Sequence, residues 1–307
     1  MELDEYQHEA IKTRRRPVAD PSQHLIVSLL GLAGEAGELI SEYKKYLRDG
    51  ENYAPLKGRI CEELGDILWY IASVADEFDL SLSEVGTENL RKIMDRWSSD
   101  LSKGDLSKGN TAGSIPDVDT KFFSFDADFP VAERLPRRLQ VLFTDAQENG
   151  VYKTQMRIEG NELGDPLTDN SYEDDGYRFH DIFHWTCAAS LGWSPVLRKL
   201  LQRKRKSDLE TDEVEDGARA AAIEEGISAL VFSYAADRGF LRGATKVDSD
   251  LLRTIKGMTR HLEVSIRSAG DWERAVLMTF DAWRHLSQEG GGTVIVDLIS
   301  REIAIAN

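Results

Sequence analysis

The sequence has 307 residues, with 54 Asp or Glu against 38 Lys or Arg, so its formal charge at pH 7 is −16. This length provides one large domain or two modest ones, and the excess of acid disfavours polymeric nucleic acid as a partner, because phosphate binding needs clustered basic side chains. The longest uninterrupted apolar runs fall well short of the about 20 residues of a membrane span, and the first residues do not resemble a secretory signal. We therefore expect a cytoplasmic protein with no membrane partner, and reduced thiols at Cys61 and Cys187, which match no zinc or redox spacing.

The first 97 residues show helical spacing of apolar side chains throughout. We predict four helices there, over residues 4–13, 23–47, 55–78 and 81–97. The last begins at the capping box formed by Ser81 and Glu84. Residues 98–119 are rich in Ser, Gly, Lys and Asp and repeat the sequence DLSKG, which is typical of a flexible linker.

Residues 120–307 are predicted to form a separate α+β domain. Two strand-like segments, 139–143 and 151–158, flank the turn-forming pair Asn149-Gly150, which indicates a hairpin. Helical patterns follow, at 177–191, 217–236, 249–266 and 271–286. A glycine run at 290–292 then precedes an alternating segment over 293–305, which indicates further strand.

Two pairs of carboxylates lie in the second and third predicted helices. Glu35 and Glu38 form one pair and Glu63 and Asp66 the other, and the i, i+3 spacing places each pair on one helix face. Acids on a helix usually form its solvated side, but a helical wheel places Glu63 inside an apolar stripe. Such acids repel one another unless a cation neutralises them. Ligands that are all oxygen suit Mg²⁺ or Mn²⁺, and the absence of His and Cys argues against zinc.

These residues carry a resemblance to a known family. The segments GLAGEAGEL at 31–39, EELGDILWYI at 62–71 and NLRKIMDR at 89–96 resemble the MazG-like all-α nucleoside triphosphate pyrophosphohydrolases over about the first 97 residues. The signature is ExxE on one helix followed by ExxD on the next. The family often has another Glu immediately before the first pair, where this chain has Gly34, so the number of metal ions stays open. The resemblance implies an N-terminal all-α four-helix MazG-like bundle.

The resemblance also implies an activity, the Mg²⁺-dependent hydrolysis of a nucleoside triphosphate substrate to a monophosphate and pyrophosphate. The expected metal ligands are the four carboxylates Glu35, Glu38, Glu63 and Asp66. Glu38, with Glu35 as the next choice, is the expected general base for the attacking water.

A face of the fourth predicted helix carries an amide and two cations. Asn89, Lys92 and Arg96 recur at i, i+3 and i+7, and by the resemblance we expect them to bind the β and γ phosphates. Lys45 is a weaker candidate for the same role, and without the resemblance an ordinary basic surface is the favoured interpretation.

The helices of this region are apolar for a domain of under about 100 residues, which leaves apolar surface to cover. We therefore expect a homo-oligomer, a dimer or tetramer. The basic run Arg14–Arg16 ends at Pro17 and is interpreted as a solvated loop.

The second domain contains one candidate metal site. His180 and His184 are spaced i, i+4 with Asp181 between them, and Glu225 is an acid that lies far along the chain. The helical wheel places these polar side chains away from neighbouring apolar ones, so we favour a solvated or interface face. The acids of the preceding loop, between 165 and 175, are compatible with disorder or with divalent binding. The domain resembles the additional C-terminal domain of some longer MazG-like proteins, and the sequence assigns it no role.

The leading hypothesis is a nucleoside triphosphate pyrophosphohydrolase. The alternatives are a nucleotide-sensing regulatory or binding module and a hydrolase of a related phosphoanhydride such as an alarmone. The complete set of four carboxylates favours an enzyme, because a protein that only binds nucleotide needs fewer desolvated charges.

Overall fold

The computed structural model describes residues 1–14, 21–50, 53, 56–101 and 124–306. The chain divides into two compact units, Met1–Met94 and Asp95–Asn307. Each unit has its own cluster of buried apolar side chains.

The N-terminal unit is helical, which confirms the predicted all-α class. Its helices are α1 (Leu3–Thr13), α2 (Pro21–Asp49), α3 (Leu56–Glu77) and the first part of α4 (Leu82–Leu101), up to Met94. The prediction that a linker begins at residue 98 was wrong for its first four residues, because α4 continues to Leu101 and no helix-breaking residue precedes Gly104. The rest of the predicted linker, 102–119, lies outside the described residues.

Small residues let the helices of this unit approach closely. Gly31 of α2 faces Tyr70 of α3, and a Cβ at Gly31 would lie 2.1 Å from the Tyr70 ring. On another face of α3, Ala72 and Ala75 are buried in one cluster with Ala10 of α1. The packing therefore fixes α3 between α1 and α2.

Polar contacts connect the start of α4 to α1. The backbone N–H of Leu82 donates to Oε1 of Gln7 at 2.9 Å, and Ser81 Oγ donates to Asp4 Oδ1 at 2.7 Å. Ser81 also accepts from the backbone N–H of Glu84 at 3.2 Å, as expected for the predicted N-cap.

The C-terminal unit has an antiparallel sheet, which confirms the predicted α+β class. Its strands are β1 (Arg138–Glu148), β2 (Val151–Ile158), β3 (Asn161–Leu167), β4 (Gly291–Asp297) and β5 (Glu302–Ile305). Their order across the sheet is β3-β2-β1-β4-β5. The predicted hairpin at Asn149-Gly150 is confirmed, with Glu148 paired to Val151 and positive φ at both turn residues.

Helices cover this sheet and hold most of the buried core. They are α5 (Ile182–Leu191), α6 (Pro195–Leu200), α7 (Leu209–Val214), α8 (Ala218–Ala236), α9 (Ser249–Thr259) and α10 (Ala269–Glu289). α5 packs against α10, β4 and β5, and every residue from Ile182 to Leu191 is buried. α5 is therefore an internal helix.

The loop before α5 uses its acids to bind an arginine. Arg178 donates to Asp145 of β1 at 3.0 Å and to Asp169 at 2.9 Å, and it also forms an ion pair with Asp174. Its side chain is 8% exposed, and these contacts raise the pKa of Arg178 although burial acts in the opposite direction. Two acids of this loop, Asp169 and Asp174, are thus ion-pair partners of Arg178. The sequence analysis considered only disorder or divalent binding for the loop acids, and these two do neither.

Candidate functional site: a carboxylate cluster in the helical unit

Three of the four predicted carboxylates meet across α2 and α3, where one carboxylate oxygen each from Glu35, Glu63 and Asp66 lies within 4.8 Å of the others. Glu38 is not in this trio, but its charge acts on Glu63, so it stands at the edge of the carboxylate cluster. Glu63 is buried at 9% exposure, Glu35 is half-buried, and Glu38 and Asp66 are exposed. The cluster therefore has a buried end at Glu63 and a solvent-facing end, which suits a site that a soluble substrate enters.

The electrostatics of the cluster favour a cation. Burial raises the pKa of Glu63, and the charges of Glu38, Glu35 and Asp66 raise it further, in that order. Glu38 is thus close enough to act on the buried carboxylate. An oxygen-only donor set of this kind fits Mg²⁺ or Mn²⁺, which would offset the mutual repulsion of the acids.

Glu42 shows how an acid of the same helix is neutralised without a metal. It is 5% exposed and accepts hydrogen bonds from the Lys45 ammonium and the Tyr53 hydroxyl, which lower its pKa. Lys45, a predicted phosphate ligand, is therefore engaged with Glu42, although its ammonium also lies near enough to Glu38 for that charge to raise its pKa. Tyr53 stands outside the regular helices, and sequence periodicity gave no signal for its role.

The other predicted phosphate ligands are on α4. Asn89 and Lys92 are exposed on α4, and within the described residues no hydrogen bond joins either of them to the carboxylates. The side chain of Arg96 lies outside the described residues. Burial and then the charge of Asp66 raise the pKa of the Tyr6 hydroxyl, a residue of α1 that the sequence analysis did not assign to the site.

Arg14 was expected in a solvated loop, and that prediction was wrong. Its side chain is 7% exposed and pairs with Asp76 and Glu77 of α3 at 2.8 Å each. The reason is that α1 ends beside the end of α3, so the first basic residue after α1 meets acids there. Arg15 and Arg16 lie outside the described residues.

The α2 segment Gln23–Asp49 is long and apolar enough to cross a membrane by length and composition alone. Polar residues interrupt its apolar runs, which is why the sequence did not indicate a span. The same segment carries Glu35 and Glu38 and buries Glu42 against Tyr53. These contacts favour a helix that packs within protein, with an apolar face that a single chain leaves uncovered.

The candidate residues of the second domain also meet in space. His180, Asp181, His184 and Glu225 lie together where the start of α5 faces α8. The expected solvated or interface face was wrong, since His184 is 0% exposed and Asp181 is 9% exposed. A helical wheel assumes one dry side, whereas α5 is covered on all sides.

Comparison with known proteins agrees with the division of the chain into an N-terminal and a C-terminal part. Residues 23–98 match the family model of the MazG nucleotide pyrophosphohydrolase domain, and residues 120–307 match that of the MazG C-terminal domain. The Gene 37 protein of Mycobacterium phage L5 is 37% identical over 109 residues, which cover 34% of this chain and 96% of the phage protein. No solved structure matches the chain.

Proposed function

Because this chain belongs to the MazG family, with a MazG nucleotide pyrophosphohydrolase domain followed by a MazG C-terminal domain, we propose that it hydrolyses nucleoside triphosphates. The substrate is a ribo- or deoxynucleotide. Water hydrolyses the anhydride bond between its α and β phosphates, and the products are a monophosphate and pyrophosphate. The observation that carries the proposal is the approach of Glu35, Glu63 and Asp66 within 4.8 Å across two helices.

Mg²⁺, which Mn²⁺ can replace, is the proposed cofactor. When bound, it supplies positive charge for the phosphate oxygens and lowers the pKa of a coordinated water. Glu63 is the buried anchor of the ligand set, and Glu35 and Asp66 hold the ion from the two helices. Glu38 lies at the exposed end, where it accepts the proton of the attacking water.

The substrate phosphates need cations beyond the metal. The side chain of Lys45 is 45% exposed although it pairs with Glu42. Its flexible stem therefore allows the ammonium to contact a substrate phosphate. We propose further phosphate ligands on α4, namely Asn89, Lys92 and Arg96. They would contact the substrate phosphates either within one chain or from α4 of a second chain in the oligomer.

A homo-oligomer, a dimer or tetramer, accounts for the apolar surface of the helical unit. Large apolar side chains are exposed on its helices, among them Ile26, Leu30, Ile40 and Leu47 on α2, Leu64 on α3, and Leu90 and Ile93 on α4. Exposed apolar surface on this scale usually marks an interface. We also propose a cytoplasmic location and, given the charge of −16, no polymeric nucleic-acid partner.

The test is a panel of ribo- and deoxynucleotides with Mg²⁺, in which phosphate is measured with and without added inorganic pyrophosphatase. The proposal predicts phosphate only when pyrophosphatase is present, and its loss in Glu63→Gln but not in the exposed neighbour Glu62→Gln. Phosphate without pyrophosphatase would indicate cleavage of another bond. Tight binding without turnover would support a sensing module instead.

A further inference from the structure

A second group of ionisable side chains lies in the C-terminal unit, and the proposed function does not use it. This histidine cluster consists of His180, Asp181, His184 and Glu225. Oε2 of Glu225 lies 3.5 Å from Nε2 of His184 and 3.8 Å from Nε2 of His180. Oδ1 of Asp181 lies 3.9 Å and 3.6 Å from the same two nitrogens. His180, Asp181 and His184 each place a ligand atom within 4.8 Å of the others around one point, and Glu225 adds an oxygen beside both nitrogens.

Hydrogen bonds fix which nitrogen of each ring faces that point. Nδ1 of His180 donates to the carbonyl of Tyr177 at 2.9 Å, which leaves Nε2 as the nitrogen that faces the cluster, and the ring stacks on Tyr177 at 4.3 Å. Nδ1 of His184 lies 2.8 Å from Oε1 of Glu224, which is itself 0% exposed. The second oxygen of Glu224 accepts from the backbone N–H of Val196 at 2.9 Å. A carboxylate that orients a histidine in this way is the usual outer support of a metal ligand.

One polar atom of the cluster lacks a satisfactory partner. Nε2 of His184 is fully buried and forms no hydrogen bond within the described structure. If it carried a proton, the nearest carboxylate oxygens, at 3.5 and 3.9 Å, would be longer than the about 2.7–3.2 Å of a good N–H···O bond. A buried polar atom left in this state is costly, so the cluster favours an occupant at its centre.

The donor separations agree with a small metal ion. Bonds of about 2.0–2.1 Å in a tetrahedral site place neighbouring donors about 3.3–3.4 Å apart. The four nitrogen–oxygen separations here are 3.5, 3.6, 3.8 and 3.9 Å, each within about 0.6 Å of that spacing. The carboxylates of Glu224, Glu225 and Asp181 lie 2.8, 3.5 and 3.9 Å from ring nitrogens of His184, so the surroundings attract positive charge.

We propose that the histidine cluster binds one divalent transition-metal ion, with Zn²⁺ as the ion whose tetrahedral geometry fits. Two imidazoles select this class of ion over Mg²⁺ or Ca²⁺, and two neutral imidazoles with two carboxylates balance its charge. Glu224 is the positioning residue of His184. Glu225 is 48% exposed, so its side of the site is open to solvent and gives the ion a path of entry. The ion joins the start of α5 to α8.

The test uses the full-length chain, stripped with a chelator and then titrated with Zn²⁺ against a chromophoric chelator in excess Mg²⁺. We expect wild type to bind one more Zn²⁺ per chain than His180→Ala. Glu225→Gln should weaken that site by at least about 10–100-fold, the loss typical even of outer-shell changes. His285→Ala, an exposed histidine of the same domain outside the cluster, should bind like wild type.

A second readout keeps the result independent of the carboxylate cluster of the helical unit. Zn²⁺ should raise the melting temperature of wild type, His285→Ala and Glu38→Gln, but not that of Glu225→Gln, by the mass action of a ligand on the folded state. Glu225 is half-exposed, so this variant should fold even if His180→Ala does not. Equal Zn²⁺ number and affinity in wild type and Glu225→Gln would overturn the site and leave the cluster as an internal ion pair. Loss of the high-affinity ion in Glu38→Gln, rather than in the cluster variants, would overturn it as well.

Discussion

At the scale of single residues, Glu38 and Glu63 share a cluster and differ in burial, and this difference separates their roles. Glu63 is buried at 9% exposure, whereas Glu38 is exposed and acts on it through charge. A buried carboxylate holds a fixed position, which suits a metal ligand. An exposed one reaches both substrate and solvent, which suits a general base.

Glu38→Gln should therefore lower kcat by about 10²–10⁴-fold, the usual contribution of a general base, while the helical circular dichroism stays the same. Glu62→Gln is the matched control, because Glu62 is an exposed acid of α3 that pairs with Arg59. A folded Glu38→Gln protein with wild-type kcat in saturating Mg²⁺ would remove Glu38 from the mechanism.

The pKa of Glu63 gives a prediction about pH and metal. Because the folded pKa lies above the ordinary value of 4.5, the folded state binds more protons than the unfolded state between these two values. The protonated Glu63 carboxyl therefore stabilises the metal-free protein below that window, and this contribution to the free energy of unfolding is lost as the pH rises through it. Glu63→Gln should raise the melting temperature of the helical unit without metal more at pH 7 than at about pH 5.

At pH 7, Mg²⁺ should make the melting temperature of wild type higher than that of Glu63→Gln, the reverse of the order without metal. It stabilises wild type by binding the folded state, and it should have little effect on Glu63→Gln, which lacks the buried ligand. Melting curves with millimolar Mg²⁺ and with a chelator make the comparison. Curves of wild type that do not change with Mg²⁺ would contradict a metal site in this cluster.

At the scale of the helices, the site exists because α2 and α3 approach closely, and Gly31 permits that approach. A Cβ there would lie 2.1 Å from Tyr70. Gly31→Ala should destabilise the helical unit by about 1–3 kcal/mol in urea unfolding, the typical cost of overpacking. It should also lower activity, because the two carboxylate pairs would move apart.

Gly34→Ala is the control on the same helix. A Cβ at Gly34 meets nothing within 4 Å, so alanine should stabilise α2 by about 1 kcal/mol through its helix propensity. If both substitutions had the same effect on stability, contact with Tyr70 would not be what limits the approach of α2 and α3.

The carboxylates of α2 and α3 were predictable from sequence because their information is local. An i, i+3 pair lies on one face wherever the helix forms, and the apolar stripe around Glu63 identified the face that is buried. The strands beside Asn149-Gly150 were predictable for the same reason, since that pair requires a tight turn.

What sequence could not give depends on tertiary contacts. β3 (Asn161–Leu167) was missed because it carries Gly164 and Pro166 and lacks alternation, so only its pairing with β2 makes it a strand. The burial of His184 was missed because α5 is covered by elements distant in sequence, among them α10 and β4. Glu224 supports His184 from forty residues away, a distance at which no periodicity operates.

At the scale of the whole molecule, every element of the proposed catalytic site lies in the first 97 residues, before the predicted linker. A fragment of residues 1–110 should therefore fold, associate and hydrolyse nucleotides, with the second domain altering specificity, regulation or partner choice. In the full chain, limited proteolysis should cut first near Lys103 or Lys108, which lie outside the described residues. If the fragment folds and associates but is inactive, the second domain must supply essential chemistry. The same conclusion would follow if His184→Ala or Glu225→Ala in the full chain stopped hydrolysis as completely as Glu38→Gln.

The central claim is that the carboxylate cluster hydrolyses a nucleoside triphosphate between its α and β phosphates. The most direct measurement is phosphorus NMR of the products formed by the full chain with Mg²⁺ in ¹⁸O-enriched water. The account predicts a monophosphate and pyrophosphate with one ¹⁸O label between them, formed about 10²–10⁴-fold more slowly by Glu38→Gln. Release of orthophosphate and a nucleoside diphosphate would contradict it.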